Sequence, residues 1–360
     1  MPRIAADYSL PSRETLRLLA QNAMQKNLYL SASLIVEKLI SIGSITEGPL
    51  LDSMYVEDCV LYARCFFLSG EPRRCLAVLE QKQLLSANLI SYLADIVNPQ
   101  NGKNENYDVK FLQNVSLHLE AIQLAAQCLF SIEQYDDCSI LLEPLVYIEN
   151  DESWTKSILD RLKKYFSFNS GASINQMSSI YCIYGRCSDV LDNRTRSLRS
   201  LTNAILIDIA CTEAAEHIVN SGMLSLTERR SLFTAIHSSS SQISSHRRWL
   251  LPFYEYLLLD QDPAYVDLAI SDSSESGCQM DNQLIISRPL NNASWLVRQA
   301  EYNFDHQFVE DAYRLARHAY TIDPFDYRGL VIYIASMVEL KLKTELFYLG
   351  HELVRPSVSL

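Results

Sequence analysis

Four small residues and a proline within one stretch constrain this chain more than any other feature. Ala300 is followed by Ala312, Ala316 and Ala319 at intervals of twelve, four and three residues, and Pro324 closes the stretch. Intervals of three and four place Ala312, Ala316 and Ala319 on one face of a helix. A face of small side chains lets a second helix cross closely, and Ala300 falls on that second helix. The proline ends the unit because it lacks an N–H and clashes with the turn before it. The stretch therefore reads as two packed helices joined by a short turn.

The same spacing returns along the chain. Leu346 stands thirty-four residues after Ala312, in a copy whose first helix is expected from about Phe325 to Leu340. Toward the N-terminus, Gly185 pairs with Ser197, Leu201 and Ala204, and Ala126 pairs with Tyr135, Cys138, Leu142 and Leu145. Ala63 pairs with Cys75 and Leu79, and Ala20 with Tyr29, Ala32, Val36 and Leu39. Cysteine and serine replace alanine in several copies, and each is also small. A period near 34 residues is the signature of stacked tetratricopeptide hairpins. About six degenerate copies predict an all-α solenoid, an α–α superhelix. The 10 glycines and 11 prolines fall mainly between the periodic segments, and alternating strand patterns are scarce.

Copies and interruptions divide the chain. Residues 1–11 read as a tail, and 12–237 as degenerate repeats with inserted loops. Within that span, Asn98 to Asn106 is a polar loop, and Asp151 to Phe168 is an extra helix carrying Trp154, Ile158, Leu162 and Phe166. Residues 238–290 form an irregular connection with a serine-rich run at Ser238 to Ser245, a helical segment, and an acidic run at Ser271 to Gly277. Residues 291–354 hold two more regular hairpins, and 355–360 a divergent tail.

Composition and motifs narrow the chemistry. The charge of -12 opposes binding to a phosphate backbone. The apolar runs Leu330 to Leu340 and Trp249 to Leu259 fall short of the about 20 residues a bilayer span needs, and neither these nor the N-terminus reads as a membrane or secretory segment. The nine cysteines contain no C-x2-C pair and are expected to pack as small hydrophobes. Ser153 to Lys156 matches S-x-x-K by chance, since no K-T-G accompanies it. No nucleophile elbow, phosphate-cradling loop or helical histidine pair occurs. His246, Arg247, Arg248 and Trp249 form one basic-aromatic cluster, read as a helix face. No catalytic residue, metal site or cofactor is expected.

Several strings resemble a known family, scaffold subunit six of the anaphase-promoting complex or cyclosome, of the cell-division-cycle-sixteen and Cut-nine type. Leu191, Asp192, Asn193, Arg194 and Thr195 resemble that family's turn in a central N-terminal repeat. Glu345, Leu346, Phe347, Tyr348 and Leu349, inside Val338 to Val354, resemble a later hairpin, and Ile322 to Phe325 falls where the family carries a DPF turn. The resemblance implies a non-catalytic subunit of a ubiquitin ligase that marks mitotic regulators, associated with other cyclosome subunits and forming a homodimer through the N-terminal repeats. It implies residence in nucleus and cytoplasm. The family continues with a roughly equal length of repeats, whereas this chain leaves the pattern at Arg355. A fragment, isoform or incomplete gene model is therefore expected, without the groove that holds the family's small chaperone-like subunit. The alternative is a tetratricopeptide adaptor or co-chaperone. A carboxylate clamp of that kind would draw on Arg298, Asn303 and Arg328, too sparse a set to favour it.

Overall fold

A computed structural model describes residues 12–42, 53–97, 109–146, 162, 174–238, 247, 250–259 and 292–354. Most of these residues are helical, and none of them is in a strand. The loop, extra helix, serine-rich run and acidic run expected around 98–106, 151–168, 239–245 and 271–277 lie outside the described residues, apart from Leu162, which is helical and buried. The chain divides into two compact units, Met1–Arg248 and Trp249–Leu360.

The first unit contains α1 (Arg13–Gln25), α2 (Tyr29–Ile42), α3 (Ser53–Leu68), α4 (Pro72–Gln81), α5 (Ala87–Val97), α6 (Val109–Ser131) and α7 (Tyr135–Leu142), the last followed by a 3-10 turn, Glu143–Leu145. It continues with α8 (Gln176–Val190), α9 (Arg194–Ile207), α10 (Thr212–Asn220) and α11 (Leu226–Ser238). The second unit contains α12 (Leu251–Leu259), α13 (Ala293–Asp305), α14 (Val309–Ile322), α15 (Tyr327–Glu339) and α16 (Lys343–Val354).

Local sequence sets the helix starts. Ser12 caps α1 by accepting from Thr15 N at 3.2 Å, and Asn175 caps α8 by accepting from Met177 N at 2.9 Å. Asn193, Asn292 and Asp326 cap α9, α13 and α15 in the same way. Each satisfies a backbone donor that the first turn leaves without an intrahelical acceptor. Pro72 opens α4, where its missing N–H costs nothing.

One turn geometry joins the helices of each hairpin. Asn27, Gly70, Glu133, Asp192, Gln307 and Lys341 all sit at positive φ between the paired helices. The residue after each donates back five residues: Leu28 N to Ala23 O, Glu71 N to Phe66 O, Gln134 N to Leu129 O, Asn193 N to Ser188 O, Phe308 N to Asn303 O and Leu342 N to Met337 O. This is the Schellman closure, which caps the orphan carbonyls of the first helix and reverses the chain at once. Only one of the six is glycine; Asn27 and Asp192 tolerate this region, so tertiary packing holds Glu133, Gln307 and Lys341 in a conformation they disfavour.

Stacking follows nearest neighbours within each unit. In the first, α2 packs on α3, α4 on α6 and α7 on α8, while α3, α6 and α8 line up as successive first helices. A continuous core runs through Ala20, Val56, Ala63, Phe66, Leu79 and Cys128. Burial of a large apolar side chain contributes about 1.5–3 kcal/mol, so this shared core couples hairpins that would be marginal alone. In the second unit, Tyr333 stacks between Tyr313 and Tyr320, with ring centroids 5.6 and 5.5 Å away.

Helix α5 and the hairpin of α10 and α11 depart from the repeat. Helix α5 is an insertion between the second and third hairpins, and it buries Leu89, Leu93, Ile96 and Val97. The pair α10 and α11 reverses through Gly222 at positive φ, but its turn is two residues longer than in the other hairpins, and Leu232 and Ile236 are buried in α11. The longer turn puts this pair out of step with the fixed spacing.

Candidate protein interaction surfaces

The small residues of the repeats meet inside the hairpins. Ala20, Ala32, Ala63, Cys75, Ala126, Cys138, Ser197, Ala204, Ala300 and Ala312 are fully buried, as are Ala316 and, almost so, Ala319. In every template hairpin the paired positions are twelve residues apart, and the second helix begins nine residues after the first of them. The contact is tight: Cys138 Sγ lies 3.5 Å from Ala126 O. At Gly185 a Cβ would stand 2.7 Å from Leu201 Cγ and 3.2 Å from Leu201 N, so α9 leaves room for hydrogen only. Leu346 is half-buried against the core of the second unit, and Pro324 follows the C-cap of α14, Asp323. These residues shape the scaffold and offer no reactive surface.

The family-like strings serve turns and helix contacts. Leu191 closes α8, Asp192 takes the left-handed conformation, and Asn193 caps α9 while Thr195 Oγ1 donates to its side chain at 3.3 Å. Arg194 Nη2 reaches across to Gly222 O at 2.6 Å and so ties this turn to the next. In α16, Glu345 accepts from the Tyr313 hydroxyl, Leu349 is buried, and Phe347 and Tyr348 stand exposed.

Polar chemistry in the interior is structural. The buried Asp58 of α3 takes Arg17 and Arg13 of α1 at 2.6 and 3.0 Å, locking the first hairpin to the second. Buried Asp208 accepts from Asn175 N at 2.7 Å, Ala210 N at 2.9 Å and Arg247 Nη1 at 2.6 Å. Arg247, the described member of the basic-aromatic cluster, is thus engaged in an ion pair.

Eight cysteines are buried, and Cys278 lies outside the described residues. Cys138 and Cys187 bring their sulfurs to 3.2 Å, and Cys75 with Cys128 and Cys182 with Cys211 form further thiol pairs. The hydrogen bond to the neighbouring thiol and burial both push Cys75, Cys138 and Cys182 up, and burial pushes Cys59 and Cys65 to about 11. These five thiols ionise reluctantly and make poor nucleophiles, whereas the hydrogen bond from the paired thiol pushes Cys187 and Cys211 down. Among the described residues, no group of three or more His, Cys, Asp or Glu is placed to hold a metal ion.

Binding capacity therefore lies on the outside. In the first hairpin Leu18, Leu19, Leu28, Leu30 and Leu34 are exposed, Leu30 by 78%. In the last two hairpins Phe325, Tyr327, Phe347, Tyr348 and Val354 are exposed, Phe325 by 93%. Large exposed apolar side chains are candidates for contact surfaces where they form a contiguous patch. Of the carboxylate-clamp residues, Arg298 and Arg328 both act on Glu301, whose carboxyl burial pushes upward. No described helix is long and apolar enough to cross a membrane.

Hairpins with a constant helix-to-helix interval, one shared left-handed turn and nearest-neighbour stacking define a tetratricopeptide-type all-α solenoid. The crystal structure of the APC/C hetero-tetramer Cut9–Hcn1 shares this fold over 97% of the chain and 54% of its own, with a TM-score of 0.63 and 18% identity. Within that class, the chain is homologous to curated proteins named for the anaphase-promoting complex and the cell division cycle. It is 24% identical over 352 residues to Anaphase-promoting complex subunit 6 of Arabidopsis thaliana, covering 95% of this chain and 55% of that protein. It is 27% identical over 238 residues to the Cell division cycle protein 16 homolog of Homo sapiens, covering 64% and 35%. The chain thus spans about half or less of the length of these relatives. No protein-family model matches it.

Proposed function

We propose that this chain is a non-catalytic scaffold subunit of the anaphase-promoting complex, acting in mitotic cell-cycle control. One observation carries the reading: similarity to a curated subunit 6 extends along 95% of the chain, on a fold of stacked hairpins. In such a scaffold each hairpin fixes only its neighbours, and the outer faces hold partner subunits at set distances. The work is geometric, and the buried, paired thiols and the turn-forming polar residues fit that role. Self-association through the N-terminal repeats belongs to the same proposal, supported by the exposed leucines of α1 and α2. Nucleus and cytoplasm are the expected compartments.

Affinity capture of the tagged chain from dividing cells, with mass spectrometry of the recovered proteins, tests the proposal. Recovery of the complex's other subunits supports it. Recovery of chaperones alone would instead assign the chain to an adaptor role.

A further inference from the structure

Helix α5 does more than lengthen the first unit. It leans on the 3-10 turn after α7 with its apolar side and leaves its other face across from α4 and α7. The three walls enclose a groove of about 760 Å³. Leu76, Leu85, Ile90, Leu129 and Leu141 supply an apolar floor, and Ile140 stands exposed at the edge. Glu80, Asp95 and Asp137, one from each wall helix, stand exposed around it. No Lys, Arg or His is among the described residues that line the groove, and none of the three carboxylates is in an ion pair there.

We propose that this groove binds a short segment of a partner protein in which aliphatic side chains are flanked by lysine or arginine. The volume lies within the range of small concave binding sites. The floor rewards an aliphatic anchor by removing it from water. The three uncompensated carboxylates raise the local concentration of a cationic segment and disfavour an acidic one.

The test uses the full chain and labelled peptides followed by fluorescence anisotropy. One peptide carries paired leucines between lysines, a second has serine for leucine, and a third has glutamate for lysine. Wild type is expected to bind the first saturably and the other two about tenfold more weakly or worse. Glu80→Lys with Asp137→Lys, and separately Ser91→Arg, change exposed side chains, so helical content and melting temperature should stay at the wild-type values. Both variants should weaken the first peptide about tenfold or more, with added salt reducing the wild-type affinity. Absence of saturable binding, or binding that the variants leave unchanged, overturns the proposal. So does loss of self-association in the charge-reversed variant, which would assign the groove to a second copy of the chain. These readouts do not depend on capture of the ligase, so this inference and the scaffold proposal can fail separately.

Discussion

Arg17 closes on Asp58 with two donors, Nε at 2.8 Å and Nη2 at 2.6 Å from the same carboxylate oxygen. Asp58 is buried, and Arg13 takes its second oxygen at 3.0 Å. Two charges from α1 thus meet buried Asp58, with Glu57 of α3 a further 3.7 Å partner of Arg17, and the first hairpin is held in register by ionic contacts as well as apolar packing.

Removing that acceptor leaves Arg13 unpaired, and Arg17 with only its 3.7 Å contact to Glu57, among the described residues. Asp58→Ala is expected to destabilise the chain by about 3–5 kcal/mol, read as a lower urea midpoint. Asp58→Leu combined with Arg13→Met and Arg17→Met should recover most of the loss, because no buried charge then remains. A triple variant as unstable as the single one would contradict this account.

The closeness of α8 and α9 at Gly185 can be tested by adding side-chain volume. A valine there meets the branch carbon and backbone nitrogen of Leu201 within 2.7 and 3.2 Å. The expected cost is about 1–3 kcal/mol, and it outweighs the smaller gain in helix propensity on replacing glycine. Leu201→Ala added to Gly185→Val should lessen the clash, giving a non-additive pair in thermal unfolding.

Acid should loosen the first unit through His118. The side chain is fully buried in α6, its Nδ1 lies 2.9 Å from Asn114 O, and its Nε2 has no hydrogen-bond partner among the described residues. Burial pushes its pKa below 6.5. Well above pH 6.5 folded and unfolded chains are both neutral at this position. Below it the unfolded chain takes up a proton that the folded chain resists, so stability falls with pH, by at most about 1.4 kcal/mol per unit. His118→Leu should remove this component, and subtracting its urea profile from the wild-type profile between pH 7.5 and 5 isolates the effect.

The left-handed turns store strain that can be released singly. Glu133 is exposed and sits at φ 63°. Glycine adopts that conformation freely, so Glu133→Gly is expected to raise stability by up to about 1 kcal/mol after its larger unfolded-state entropy is counted. Glu133→Val should lower it by about 1 kcal/mol or more, because a branched Cβ resists positive φ. Thermal unfolding of the two variants gives opposite signs if the turn is as described.

The turn string LDNRT shows how far local sequence reaches. A cap-forming asparagine after a residue that tolerates positive φ dictates a helix end and a helix start within five residues, wherever the segment sits in the chain. Helix periodicity and the twelve-residue interval between small residues are equally local, so the all-α repeat class is legible without coordinates. Helix α5 carries its own signal in Leu89, Leu93 and Ile96, yet it lies off the repeat spacing and escapes a search for that spacing. The longer turn of α10 and α11 hides that hairpin for the same reason.

The sequence by itself determined the helices, their hairpin pairing and the small residues at each crossing, because steric and hydrogen-bonding rules act over a few residues. Only the tertiary structure decided that Asp58 meets Arg13 and Arg17, that six cysteines pair across helices, and that α5 opens an acid-rimmed groove against α4 and α7. Those contacts join residues far apart in the chain, and their geometry depends on how each hairpin rotates against the next. That rotation is set by the summed packing of whole helix faces, which no short stretch of sequence encodes.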